Sequence, residues 1–78
     1  MTRFPFRCTF KKSPRARTTE TRFEYAPDRH EAFERLVMIT RVETQGCGVP
    51  CFADPMTCQE AHELGLFTAI DEKGQPTA

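Results

Sequence analysis

The sequence predicts an α+β fold, a small β-β-α-α-β domain in which helices pack on the aromatic face of an antiparallel sheet. Two segments near the start alternate aromatic with polar residues, and a longer segment after them repeats apolar residues at helical spacing. A chain of 78 residues has room for one small core. We therefore expect a single domain over residues 1–72 and a polar tail over residues 73–78.

The first two predicted elements are strands that form a hairpin. In RFPFRCTFKK every second residue is apolar, and these residues are Phe4, Phe6, Cys8 and Phe10. The segment KSPRAR is typical of a turn, and TTETRFEYA then resumes the alternation. Pro5 indicates an edge strand, because proline has no N–H to donate to a neighbouring strand. The expected hairpin has an aromatic face against the core, which argues against base stacking, and a charged face away from the core that carries Arg3, Arg7, Lys11 and Arg22.

A helix is predicted over residues 28–45, because no glycine or proline interrupts this stretch. Asp28 is a candidate N-cap, and Glu31 stands three residues later, as in a capping box. The β-branched residues in the second half leave open a change from helix to strand over residues 38–44.

A second helix and a third strand are expected to follow. Asp54 and Pro55 have the pattern of an N-cap and first turn, and Gly65 suits a left-handed cap, so the helix is predicted over residues 55–64. The segment LFTAID after it has the composition of a strand.

Three of the four cysteines fall within GCGVPCFADPMTCQEAHELG, which also holds a histidine. Thiolates and a neutral imidazole suit zinc, and a structural zinc ion would stabilise a core this small. The candidate ligands are Cys47, Cys51, Cys58 and His62. Two alternatives remain open, namely a disulfide that joins Cys47 to Cys51 or includes Cys8, and reduced thiols that only pack, with no cofactor at all.

The charges are unevenly distributed, although the net charge is zero. Residues 1–22 hold seven basic side chains and one acidic, whereas the rest of the chain holds four basic and ten acidic. Such polarity is an argument about partners and association rates. We expect a basic hairpin that binds a partner through Arg3, Arg7, Lys11, Lys12, Arg15, Arg17 and Arg22. The alternative is that these side chains pair with the acidic half of the chain.

No catalytic constellation is evident, so the sequence does not predict an enzyme or a small-molecule substrate. Cys58 and His62 are one helical turn apart, but no third group is evident that would orient the histidine as a base. No apolar run approaches the roughly 20 residues of a membrane span, and we expect a cytoplasmic protein.

The predicted function is that of a protein-binding module, a stoichiometric inhibitor or adaptor that docks on a larger nucleic-acid-handling complex through its basic hairpin. In size and charge polarity the chain resembles small inhibitors of phages and mobile elements, including anti-CRISPR proteins. That resemblance is one of size class, and no motif is shared. The alternative is a zinc-stabilised nucleic-acid-binding module.

Overall fold

A computed structural model describes residues 1–77, and its α+β class, with three antiparallel strands in one sheet and two helices, confirms the prediction. The order of the elements differs from the predicted one, because the third strand precedes the second helix. The elements are β1 (Phe4–Lys11), β2 (Glu20–Ala26), α1 (Arg29–Thr44), β3 (Val49–Pro55) and α2 (Cys58–Glu63).

The sheet has the order β2-β1-β3, and β1 pairs antiparallel with both neighbours. The prediction that Pro5 marks an edge strand was therefore wrong, since β1 is central. The third strand forms from VPCFADP, which the sequence suggested was loop and helix start. Its position at the edge explains why it tolerates two prolines, because an edge strand pairs on one side only.

The predicted strand in LFTAID is reduced to isolated bridges. Ile70 exchanges two backbone hydrogen bonds with Arg3, with N···O distances of 2.8 and 2.9 Å, and also bridges to Pro76. Residues 71–77 fold back in a turn held by Asp71, whose carboxylate accepts from the backbone N–H groups of Lys73 and Gln75. The C-terminal segment thus extends the sheet at the start of β1.

The long helix forms as predicted and continues through the β-branched residues, so residues 38–44 are helical. Asp28 caps it by accepting a hydrogen bond of 2.8 Å from the N–H of Glu31. The second helix is shorter than predicted and begins later. Its cap is Thr57, which forms a reciprocal capping box with Glu60. No helix within residues 1–77 is long and apolar enough to cross a bilayer.

The core lies between α1 and one face of the sheet, which we call the covered face. Alternate residues of β1 face the helix, and the buried cluster comprises Phe6, Cys8, Phe10, Ala26, Ala32, Leu36 and Ala53. Ile39 packs against this cluster at its margin. Inside the helix, the buried Thr40 hydroxyl donates to the carbonyl oxygen of Leu36 at 2.7 Å, which satisfies a polar group that the core would otherwise leave unpaired.

The register of the hairpin corrects the prediction of one aromatic and one charged face. Phe6 lies opposite Glu24, and Arg7 lies opposite Phe23. Directly opposed residues in an antiparallel pair share a face. The aromatic residues of β1 therefore face α1, whereas Phe23 of β2 lies on the other side of the sheet.

The buried thiol of Cys8 makes stability depend on pH. Burial, with a smaller contribution from Glu24, raises the pKa of Cys8 from 9.0 to about 11. Between these two values the unfolded chain loses the thiol proton before the folded chain does, so folding stability falls as pH rises through this range. We expect Cys8→Ala to be less stable at neutral pH because it leaves a cavity, but to lose less stability from pH 9 to 11 than the wild-type protein. Urea unfolding across that range measures both effects, and parallel losses in the two proteins would contradict this assignment.

Candidate functional site

The candidate site is the side of the sheet opposite α1, which we call the open face. Its central row comes from β1, and the pairing register adds residues from both flanking strands. The open face comprises Pro5, Arg7, Thr9 and Lys11 of β1, Thr21, Phe23 and Tyr25 of β2, and Val49, Phe52 and Asp54 of β3. It thus combines aromatic and basic side chains on one surface.

Two phenyl rings stand on this face without a covering element. Phe23 is 43% exposed and Phe52 is 49% exposed. They flank the central strand, because Phe23 lies opposite Arg7 and Phe52 lies opposite Thr9. Exposed apolar side chains that share one surface mark a site of interaction more often than apolar side chains that are scattered singly.

One end of the open face is closed by the C-terminal part of the chain. The Tyr25 hydroxyl donates to the carbonyl oxygen of Phe67 at 3.0 Å. The guanidinium of Arg7 forms an ion pair with the carboxylate of Glu60 on α2. Arg7 is therefore partly neutralised, and the accessible part of the face extends from Arg7 towards the end of β1.

Arg22 was expected on the face away from the core, and this prediction was wrong. It lies opposite the buried Cys8 and so shares the covered face. Its guanidinium bonds both carboxylate oxygens of Glu43 on α1, with N···O distances between 2.7 and 3.2 Å, and stands 5.5 Å from the centre of the Phe10 ring. The bonds to Glu43 raise the pKa of Arg22 further above its ordinary value. Arg22 thus joins the hairpin to α1.

The remaining basic residues concentrate at the loop over residues 12–19, which we call the basic loop. Among residues 1–77, four of the predicted binding residues make no ion pair, and these are Arg3, Lys11, Arg15 and Arg17. Lys12 pairs with Glu20 at 3.3 Å but remains 72% exposed. The basic loop and Lys11 thus place positive charge beside the accessible end of the open face.

The four predicted zinc ligands are not brought together. Cys47 is exposed after α1, Cys51 lies on β3, and Cys58 and His62 are exposed on α2. Over residues 1–77, no three histidine, cysteine or acidic side chains are placed to share a metal ion. All four cysteines are free thiols, so the structure forms neither of the suggested disulfides.

Metal analysis can test the zinc site that the sequence suggests. Because the four residues lie apart, we expect protein purified without chelator to contain almost no zinc, and EDTA to leave its melting temperature unchanged. One zinc ion per chain, with a lower melting temperature in EDTA, would contradict this expectation and restore the Cys3His site.

Two shallow surface depressions lie elsewhere on the molecule. One, of about 340 Å³, is lined by Met1, Asp71, Glu72 and Lys73. It surrounds an ion pair of 2.6 Å between the N-terminal ammonium and Glu72, which lowers the pKa of that carboxyl group. A second, of about 260 Å³, lies on α1 beside Met38 and Val42.

Sequence reasoning missed Phe23 and Phe52 as members of one surface. Phe52 stands in a Gly- and Pro-containing segment that resembles a loop, and Phe23 was assigned to the core face with the other aromatic residues. No alternation marks Phe52, because residues 49–53 are a continuous apolar run, and the register shift between Thr9 and Phe10 leaves Cys51 without a partner on β1. Comparison of the chain with protein-family models, curated proteins and solved structures finds no match.

Proposed function

We propose that this chain is a non-enzymatic binding module that acts stoichiometrically, as an inhibitor or adaptor, on a larger nucleic-acid-handling complex in the cytoplasm. Its binding surface is the open face together with the basic loop. The observation that supports the proposal most is the pair of half-exposed rings, Phe23 and Phe52, beside unpaired basic side chains. An aromatic patch with a basic rim has the composition of interface hot spots, which are rich in aromatic residues and arginine.

The basic residues of the hairpin do not all have the same role. Arg7 and Arg22 hold α2 and α1 through their ion pairs, so they stabilise the fold as well as contribute charge. Arg15 and Arg17 in the basic loop have no such role. Positive charge at this rim steers an acidic or phosphate-bearing partner towards the open face and raises the association rate.

Affinity capture from a lysate of the natural host tests the proposal. We expect two double variants to lose a partner that the wild-type chain retains at a fixed molar ratio. These variants are Phe23→Ser, Phe52→Ser and Arg15→Glu, Arg17→Glu. Each has a matched control on α1, namely Met38→Ser, Val42→Ser for the rings and Arg41→Glu for the charge reversals. These controls change exposed side chains of α1 and are expected to retain the partner.

Two results would contradict the proposal. One is a captured partner that is retained by the open-face variant and lost by the α1 control, which would move the binding surface to the helix. The other is turnover of a substrate at sub-stoichiometric amounts of this chain. Thermal unfolding of every variant, measured in parallel, distinguishes loss of binding from loss of folding.

A further inference from the structure

We infer that the open face binds single-stranded nucleic acid, by base stacking on Phe23 and Phe52 and by phosphate contacts from Lys11 and the basic loop. This inference rests on the proposed function, because it names the component that the same surface contacts. The sequence alone argued against stacking, since it placed every aromatic side chain of the hairpin on the core face. The register places Phe23 outside the core.

The arrangement of the rings suits an unpaired strand. Phe23 and Phe52 stand on the two strands that flank β1, opposite Arg7 and Thr9 respectively. Two strand spacings across the sheet and two residues along it place their backbones about 12 Å apart. Thr9 between them is only 5% exposed, so a base would lie against the exposed outer side of either ring and not between the rings. Each base of a single strand exposes an aromatic face, and stacking on a phenyl ring requires no particular base.

Charge complementarity points to phosphate beside the rings. Lys11 follows Arg7 and Thr9 along the same face of β1, and the chain then continues into the basic loop with Lys12, Arg15 and Arg17. The acidic side chain nearest the rings in the register is Asp54, which lies opposite Arg7 in the same cross-strand row as Phe23, four residues along β1 from Lys11. Its carboxylate pairs with Arg29 at 3.8 Å. A strand that stacks on the rings therefore meets positive charge in the direction of the basic loop.

A single strand fits these features better than a duplex does. In a duplex the flat faces of the bases are covered by their neighbours, and the rings of a sheet surface cannot reach them. Phosphate contacts alone would need the basic loop but would leave Phe23 and Phe52 unused. Two rings on one face and a basic loop at the end of the same sheet are explained together by a strand whose bases are unpaired.

The chain contains no tryptophan, so one introduced residue reports stacking directly. Phe52→Trp places a fluorophore on the open face, and Met38→Trp places a matched control on the exposed side of α1, where residue 38 is 59% exposed. Each protein is titrated at low salt with ten-nucleotide oligodeoxythymidine, with ten-nucleotide oligouridine and with a DNA duplex. We expect quenching of Phe52→Trp by the single strands, little by the duplex, and none for Met38→Trp. A tighter response to uridine or thymidine identifies RNA or DNA as the preferred strand.

Two further variants separate stacking from charge. Phe23→Leu keeps apolar volume but removes the aromatic ring, and we expect it to weaken binding by between about fivefold and about a hundredfold. Arg15→Gln is expected to reduce the magnitude of the salt dependence, the slope of log K against log salt, by about 0.7. Arg41→Gln on α1 is the control for that slope and is expected to leave it unchanged.

Absence of binding to either single strand at low salt would overturn the inference. Binding that leaves the Phe52→Trp fluorescence unchanged would also overturn it, because the strand would then lie elsewhere. If host-lysate capture nevertheless depends on Phe23 and Phe52 after nuclease treatment, the partner is a protein and the proposed function stands without this inference. If capture from the host lysate does not depend on Phe23 and Phe52 either, the proposed function fails as well.

Discussion

Leu36→Ala is expected to lower the free energy of unfolding by about 3 kcal/mol, the middle of the range for a buried leucine. Leu36 is 0% exposed, and it is the largest buried side chain that α1 contributes to the core cluster. Removal of its isobutyl group leaves a cavity beneath the sheet that the helix cannot close. A domain of 78 residues has a total stability of roughly 4–12 kcal/mol, so this single change removes a large part of it.

The matched control is Met38→Ala, two residues further along the same helix. Met38 is 59% exposed, and alanine is a good helix former, so we expect a change within about 0.5 kcal/mol. Urea unfolding followed by far-ultraviolet circular dichroism measures both variants. Equal losses for the two substitutions, or a larger loss for Met38→Ala, would show that α1 presents a different face to the sheet.

Gly48→Ala is expected to cost about 1–3 kcal/mol because the connection from α1 to β3 has no space for a methyl group. A Cβ atom at Gly48 would lie 2.6 Å from Thr44 Oγ1 and 2.7 Å from the carbonyl oxygen of Lys11. The N–H of Gly48 also donates to Thr44 Oγ1 at 2.7 Å, which holds the loop against the end of the helix. The substitution therefore forces β3 away from β1 or breaks this bond.

The double variant Thr44→Ala, Gly48→Ala provides the test of this mechanism. Removal of the Thr44 side chain relieves one of the two close contacts but not the contact with the Lys11 backbone. We expect Gly48→Ala to cost less in the Thr44→Ala background than in the wild-type protein, although it still destabilises the fold. Thermal unfolding of the four proteins gives the coupling free energy. Strictly additive losses would contradict the contact with Thr44.

The hairpin shows what local sequence patterns predict and what they leave open. Alternation located both strands, because successive side chains of a strand point to opposite faces of the sheet. It did not give the relative register, since the long loop between the strands imposes no turn geometry. A shift of one residue in the pairing transfers Phe23 from one face to the other. The composition of the candidate site depends on this shift, which is why the open face was not predicted.

The second half of the chain was predicted less well because two competing signals share a few residues. Asp54 and Pro55 have the pattern of a helix start, but they end β3, and the capping box of Thr57 and Glu60 starts the helix instead. Prolines at positions 50 and 55 obscured an edge strand that tolerates them. In the long helix the β-branched residues of the second half favoured a strand, but the Asp28 cap and the apolar periodicity predicted the helix correctly.

The central claim is that the open face, and not α1, is the binding surface. The most direct measurement is an amide ¹H–¹⁵N correlation spectrum of the labelled protein during titration with ten-nucleotide oligodeoxythymidine. The account predicts the largest shift changes at Thr9, Lys11, Phe23 and Phe52 and in the basic loop, with Met38 and Val42 unchanged. Shift changes concentrated on the exposed side of α1, or no changes at a strand concentration well above that of the protein, would contradict it.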